Sequence, residues 1–232
     1  MIHLSVETST EWVDLALLNE TSPLSCFRVF RPGGASEVLV PALETVLVSA
    51  GVSPESLAFL SSSRGPGTYT SIRVGHLFVR GLTFSLKVPH VTISPFDVLA
   101  RQCVTLLPDR PDHLVVLLDA RRGEVNAALY RLSGDGDPVR IPSSASGEIF
   151  SGRAASPRKV LEQLPPGKVA LVGPGIIHLG THSPPAETRI VPPLLLHPSA
   201  CVMGALAFAA KMSGEDLNLS SDLLYGRDSV CS

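Results

Sequence analysis

The change of hydrophobic period near residue 33 constrains this chain more than any other feature. Before it, Ile2 to Glu7, Trp12 to Leu18 and Leu24 to Phe30 are three short apolar runs, separated by Thr8-Ser9-Thr10 and by Asn19 to Pro23. Such tight spacing predicts an antiparallel meander of strands. After Arg31-Pro32-Gly33-Gly34, the residues Val38, Leu39, Ala42, Leu43, Val46, Leu47 and Ala50 recur at helical spacing, and Gly51 closes the helix. Strands and helices then alternate. Leu57 to Ser63 reads as a strand, about Thr70 to Leu86 as a helix and His90 to Ile93 as a strand, and Ser94-Pro95-Phe96-Asp97 caps a third helix. That alternation predicts mixed β-sheets flanked by helices, not an all-β sandwich.

A polar stretch with two prolines, Pro108 to Asp112, is the expected boundary between two lobes, residues 1–109 and 110–232. The second lobe repeats the opening theme, with strand Leu114 to Leu118, turn Asp119 to Gly123 and strand Val125 to Leu132. Ser133 to Gly152 is rich in Gly, Ser and Pro and carries little periodicity. Lys168 to Val172 reads as a strand, and Pro198 to Met212 as a long apolar helix closed by Gly214. With 232 residues, 44% hydrophobic and 17% charged, the chain can bury two compact lobes or one large core. A net charge of −2 offers no basic field for phosphates, which weighs against autonomous nucleic-acid binding. The longest uncharged apolar run, Ala200 to Ala210, is too short for a bilayer core of about 30 Å. Met1 to Val6 lacks the basic start of a signal peptide, so a cytoplasmic chain without a membrane partner is expected. Cys26, Cys103, Cys201 and Cys231 are scattered with no C-x-x-C pair and read as idle thiols in a reducing compartment.

The sharpest local feature is Arg64-Gly65-Pro66-Gly67-Thr68-Tyr69-Thr70-Ser71-Ile72-Arg73-Val74-Gly75, which leaves a strand and enters a helix. Thr68 or Thr70 can cap that helix, and free N–H groups at a helix start attract anions. The stretch is not a Walker A loop, because it has no lysine to reach phosphates, nor is it G-x-G-x-x-G. A strand-to-helix turn that needs glycine geometry accounts for it equally well.

This stretch resembles the G-P-G-[ST]-[FY]-T-G-[LI]-R-[IV]-G signature of the TsaB family, with Ser71 in place of a glycine. Ser5-Val6-Glu7-Thr8-Ser9-Thr10 resembles the family's opening strand and turn, with Glu7 where Asp is usual. Ser36-Glu37-Val38-Leu39-Val40-Pro41 is similar to its first helix start, although Ala35 replaces a typical His. Asp119-Ala120-Arg121-Arg122-Gly123-Glu124-Val125 resembles its D-A-R-x-G-E-V turn, Gly173-Pro174-Gly175 its later G-x-G, and Tyr225-Gly226-Arg227-Asp228 its tail, with Gly226 a departure. The matches follow the family's order over nearly the whole chain, better in the first lobe than in the second.

The resemblance implies an actin-like two-lobe fold (the ASKHA, ribonuclease H-like group) whose nucleotide site has decayed. It implies a non-catalytic scaffold that pairs with the catalytic subunit TsaD and the ATPase TsaE. Together these transfer a threonylcarbamoyl group to the adenosine beside the anticodon of tRNA, which this chain would meet only through the complex. No cofactor is implied. Active members of the superfamily carry an acidic residue in the first strand–turn to hold magnesium–nucleotide. Glu7 is the candidate here, but Thr8-Ser9-Thr10 has no glycine to let the backbone wrap phosphates. The candidate anion or nucleotide site is therefore Glu7, Thr8, Ser9, Gly65, Gly67, Thr68, Arg73, Asp119 and Arg121. An active ATP-dependent phosphotransferase and a homodimeric binding protein are the competing readings. No nucleophile or metal triad supports a peptidase. His178 and His182 have the i, i+4 spacing of two metal ligands, but Gly180 and Pro184-Pro185 oppose a helix there, so no metal site is assigned.

The second helix adds information of its own. At about 100° per residue, Arg73, His76, Arg80, Thr83 and Lys87 fall on one polar stripe roughly 80° wide. Nearly everything else is apolar or small, more than twice the arc of about 100° that one core requires. Either the helix is sandwiched inside its lobe, or one flank meets the sheet and the other a partner. TsaB-like proteins pair through the first two helices. This makes Val38, Leu39 and Leu43, with Ile72, Gly75, Leu77, Val79, Gly81, Leu82 and Phe84, the candidate partner interface. One edge runs through Ile72, Gly75, Val79, Leu82 and Leu86 and the other through Leu77, Gly81 and Phe84, with Val74 and Phe78 between. The sequence does not decide which faces the sheet.

Overall fold

The structure is a computed structural model that describes residues 1–107, 109–133, 136–180, 182–192, 197–214 and 223. The tail motif Tyr225-Gly226-Arg227-Asp228 and Pro108 lie outside the described residues. In chain order the elements are β1 (Ile2–Glu7), β2 (Trp12–Asn19), β3 (Ser22–Phe30), α1 (Ala35–Ala50), β4 (Leu60–Ser63), α2 (Tyr69–Leu86), β5 (His90–Ile93) and α3 (Pro95–Leu106). There follow β6 (His113–Asp119), β7 (Val125–Arg131), β8 (Val139–Arg140), α4 (Ser143–Ser146), β9 (Ala154–Ala155), α5 (Pro157–Glu162), β10 (Val169–Val172), β11 (Thr188–Ile190) and α6 (Ala200–Met212).

The strands form two sheets built on one plan. The first has the order β3-β2-β1-β4-β5, antiparallel from β3 to β1 and parallel from β1 to β5. The second runs β8-β7-β6-β10-β11, again with an antiparallel meander on one side and parallel strands on the other, and β9 also pairs with β7. The repeated strand–turn–strand theme in the sequence is therefore a repeated topology. Two compact units result, one from Met1–Val98 and the chain that resumes at Pro198, the other from Leu99–His197. Among the described residues, no helix is long and apolar enough to cross a membrane.

In the first unit, side chains alternate across the sheet and sort the helices onto its two faces. Leu4, Val6, Val13, Leu15 and Leu17 pack against Leu39, Ala42 and Val46 of α1 and Val79 of α2. On the opposite face, Ala16 and Leu18 meet Ala200, while Phe59, Val91 and Ile93 meet Met203 and Ala207 of α6. His3 joins this second layer, stacked on Phe59 at 4.3 Å. The division at residues 109 and 110 would place Ala200–Met212 in the second lobe. It belongs to the first unit because its apolar surface covers the sheet face that α1 and α2 leave open.

A buried carboxylate fixes the start of α6. Asp14 Oδ2 accepts the Nε and Nη2 hydrogens of Arg28 at 2.9 and 2.6 Å and the amide of Ala200 at 3.0 Å. Arg28 Nη2 also donates to the carbonyl of Pro198 at 3.2 Å. Burial raises the Asp14 pKa, while Arg28 and the Ala200 amide oppose that shift. Asp14→Ala removes the acceptor shared by β3 and α6. We expect about 2 kcal/mol of lost stability and a melting temperature lower by about 4–8 °C, measured by calorimetry. An unchanged melting temperature would show that apolar packing alone seats α6.

Candidate functional site

The turn after β1 is closed by the start of α2. Glu7 ends β1 fully buried, and its Oε1 accepts the amide of Ser9. Thr8 Oγ1 donates to the carbonyl of Ser71 at 2.9 Å, and the Thr68 amide donates to the carbonyl of Ser9 at 2.7 Å. The contact is tight enough to exclude side chains on the helix side. A Cβ at Gly67 would run into the Ser9 carbonyl oxygen, and one at Gly75 into Thr8 Oγ1. Thr68 occupies the N-cap position of α2 with an extended backbone, but its side chain makes no capping bond. Of the sequence-predicted site residues, Glu7, Ser9, Gly67 and Thr68 come together against one another, Thr8 is tied to Ser71 of α2, and the Gly65 amide turns to Ser63 Oγ. The Ser9 and Thr68 amides, which an anion would need, are taken by Glu7 and by the Ser9 carbonyl. The residues do not fit a magnesium–nucleotide.

Two expected members of that site lie elsewhere. Arg73 is on the exposed side of α2 with its guanidinium 4.0 Å from the centroid of the Tyr69 ring. Asp119 and Arg121 belong to the second unit. There Asp119 Oδ1 accepts the Arg121 amide at 2.6 Å and His178 Nε2 at 2.8 Å, and Arg121 Nη1 stands 3.4 Å from Asp119 Oδ2. Arg121 and Arg122 both hold left-handed backbones, with φ of +65° and +57°. His178 lies in a 3₁₀ turn, Pro174–Leu179, and His182 follows in a loop, so the i, i+4 spacing does not describe an α-helical face. Among the described residues, no group of three or more His, Cys, Asp or Glu is placed to hold a metal.

The structure divides α2 by its two flanks. Ile72, Gly75, His76, Val79 and Thr83 are buried, and Val74, Phe78, Leu82 and Leu86 pack at the margin of the core. Leu77 is 62% and Phe84 87% exposed, with Gly81 between them. On the adjacent α1, Leu39 is buried and Val38 and Leu43 are half-buried, whereas Val48 is 80% exposed. Leu39, Ile72, Gly75 and Val79 are thus core residues, not interface residues, because the sheet needs that edge. The exposed apolar positions are Leu77 and Phe84, together with Tyr69, Val40 and Val48, which the sequence reading missed. On α1 the only signal for the last two was their eight-residue spacing.

The expected polar stripe also splits. Arg73 and Arg80 face outward, but His76 is buried against the serine-rich strand β4. Ser62 Oγ lies 3.3 Å from His76 Nδ1 and 2.8 Å from His90 Nε2. Burial, then the adjacent His76 ring and Arg80, pushes His90 down to about 4, and burial, then Arg80, lowers His76 as well, so both rings are neutral at pH 7. The run Ser61-Ser62-Ser63 inside a strand was the signal that this helix would bury polar groups.

Comparison with known proteins bears on this geometry. The sequence model of the TsaD family, tRNA N6-adenosine threonylcarbamoyltransferase, matches residues 34–145. The TsaB protein of Bacillus subtilis, a tRNA threonylcarbamoyladenosine biosynthesis protein, is 29% identical over 132 residues, 56% of each chain. That of Haemophilus influenzae is 28% identical over 178 residues, 74% of this chain and 71% of its own. The chain therefore spans about half the length of the first of these relatives. A crystal structure from Pseudomonas aeruginosa, of a protein with similarity to peptidase YeaZ, superposes with a TM-score of 0.76 at 23% identity, covering 97% of this chain and 99% of that one. The chain is similar to TsaB/YeaZ proteins in sequence and in fold. Its fold is actin-like, as the repeated sheet topology requires.

Within this family fold, the clearest electrostatic anomaly is Glu7. Burial pushes its carboxyl up to about 7, opposed by hydrogen bonds from Ser9 and assisted by the charge of Asp14. Its Oε2 has no hydrogen-bond partner among the described residues. Between the ordinary carboxyl value and 7, the folded state binds the proton that the unfolded state has released, so stability falls as pH rises through that window. Glu7→Gln removes the ionisation and keeps an acceptor for Ser9. Relative to wild type, the variant should gain about 2–3 kcal/mol between pH 5 and pH 8, read from denaturant midpoints. A constant difference across that range would show that Glu7 titrates normally.

Proposed function

We propose that the chain is a non-catalytic subunit of the machinery that forms threonylcarbamoyladenosine in tRNA, pairing with a TsaD-like catalytic subunit through the outer face of α1 and α2. A TsaE-like ATPase acts with that pair, and tRNA meets the chain only through the complex. The chain works in the cytoplasm, where the complex meets tRNA. One observation carries this reading. Leu77 and Phe84 stand in water on a helix whose opposite side is sealed into the core, and Val40 and Val48 are exposed on the adjacent α1. Covering one such side chain contributes about 1.5–3 kcal/mol. Leu77 and Phe84, seven residues apart on one face of α2, give a partner helix an apolar seat, with Arg73 and Arg80 beside it to set register. The closed Thr8–Thr10 turn supports the second half of the reading, since a chain whose phosphate turn is filled by its own helix acts through what it holds. Arg121, steered by Asp119 and half exposed, is a cation that the second unit offers to a phosphate or carboxylate.

Two aspartate substitutions on α2 test the interface. Val79→Asp buries a charge without a partner, which costs several kcal/mol in a domain stable by about 5–15 kcal/mol, and should unfold the chain. Leu77→Asp should melt as wild type does, yet weaken binding to a TsaD-like subunit at least 100-fold by calorimetric titration. Undiminished binding would remove this face from the interface, and self-association lost on the same substitution would favour the homodimeric reading. The isolated chain should also show no ATP turnover. A rate near ~1 s⁻¹ that vanishes in Glu7→Ala would replace the scaffold by a phosphotransferase.

A further inference from the structure

Cys26 and Cys201 are 175 residues apart in the chain, yet their Sγ atoms stand 3.1 Å apart, both as free thiols. Cys26 is exposed on the edge strand β3, and Cys201, the second residue of α6, is half-buried. Their meeting is a consequence of the Asp14 clasp. Residues two apart on a strand share a face, so Cys26 projects to the same side as Arg28, where α6 is held by Asp14 and Arg28. Ala16 and Leu18 lie under Ala200 and Cys201 and fill the space beneath the pair. A disulfide bond of about 2.05 Å needs the sulfurs to close by only about 1 Å. Cys103 makes the contrast: it is sealed in α3, with its thiol pushed up to about 12 by burial.

We propose that Cys26 and Cys201 form a dithiol–disulfide couple, oxidised by hydroperoxides, that staples α6 to the edge of the first sheet. Cys26 is the sulfur a hydroperoxide reaches first. Burial and the adjacent Cys26 sulfur push the Cys201 thiol up to about 12, so it takes the second step by its position 3.1 Å from Cys26 Sγ and not as a ready thiolate. In the first step Cys26 Sγ attacks a peroxide oxygen. An S–O bond forms as the O–O bond breaks, and the departing oxygen takes the thiol proton to leave as alcohol or water. Cys201 Sγ then attacks the Cys26 sulfenic sulfur, so that S–S forms, S–O breaks, and the hydroxyl leaves as water with the Cys201 proton. Two electrons pass from the two thiols to the peroxide, and a small thiol reverses the change by exchange. Because α6 lies on the face opposite α1 and α2, the staple leaves Leu77 and Phe84 as they are.

The test uses the full chain, reduced and then treated with hydrogen peroxide at a few equivalents. Non-reducing peptide mapping should find the Cys26 and Cys201 peptides joined, with two hydrogens lost. The melting temperature should rise by about 5–15 °C and fall back with dithiothreitol, as expected for a bond closing so long a loop. Cys26→Ser and Cys201→Ser should each abolish both effects, and Cys103→Ser neither. Oxidation of Cys26 to sulfinic acid without a link would overturn the proposal. A bond from Cys26 to Cys231, which lies outside the described residues, or to a second copy would do the same.

Discussion

The seating of α2 on the turn after β1 governs most of the first unit. Gly67 and Gly75 bring the helix so near that Thr8 donates into its first turn and Ser9 accepts from Thr68. A helix held by its end in this way has no freedom to roll. With Gly75 fixed against Thr8, the positions three and four residues on either side, Ile72 and Val79, must point at the sheet. Leu77 and Phe84, about half a turn round, must then point away. The same contact that fills the turn after β1 therefore decides which flank of α2 meets solvent.

A second constraint acts on the other face of the sheet. Leu18, Phe59, Val91 and Ile93 leave an apolar surface there that Val98 of α3 joins and a further helix must cover. The chain returns after Pro198 to do so with α6, whose entry is set by a buried carboxylate rather than by packing alone. Asp14 is a costly residue in the middle of a sheet, and burial raises its pKa. Its value lies in direction: apolar packing lets a helix slide, whereas three hydrogen bonds to one oxygen do not.

Much of this was legible in the sequence because period and punctuation are local. The three opening strands, the change of period after Gly34 and the strand–turn–helix at Arg64–Gly75 follow from residues a few positions apart. The repeated theme at Leu114–Val125 likewise appeared as a second sheet of the same order. What stayed hidden depends on residues far apart. Asp14, Arg28 and Ala200 meet only once α6 crosses the sheet, and so do Cys26 and Cys201, which read as idle thiols when scattered along the chain. The helical wheel failed at His76 and Thr83 for a related reason. A wheel assigns polar residues to water, but β4 is serine-rich and buried, so it accepts an imidazole that a strand of Val and Ile would reject.

The site residues divide along the same line. Glu7, Thr8, Ser9, Gly65, Gly67 and Thr68 were grouped because a strand end and a glycine turn are visible in sequence. The outcome of grouping them was not visible, since it depends on whether backbone amides aim outward or at each other. In a phosphate-wrapping turn the amides of successive residues converge on an empty centre. Here the Ser9 amide closes on Glu7, and the Thr68 amide on the Ser9 carbonyl, so the centre is occupied by protein. Once Glu7 is sealed there, its charge has no solvent and no counter-ion, and the proton becomes its partner near neutrality. A carboxyl in that state is a structural plug. The turn that holds it seats a helix, and that helix presents Leu77 and Phe84 on its back.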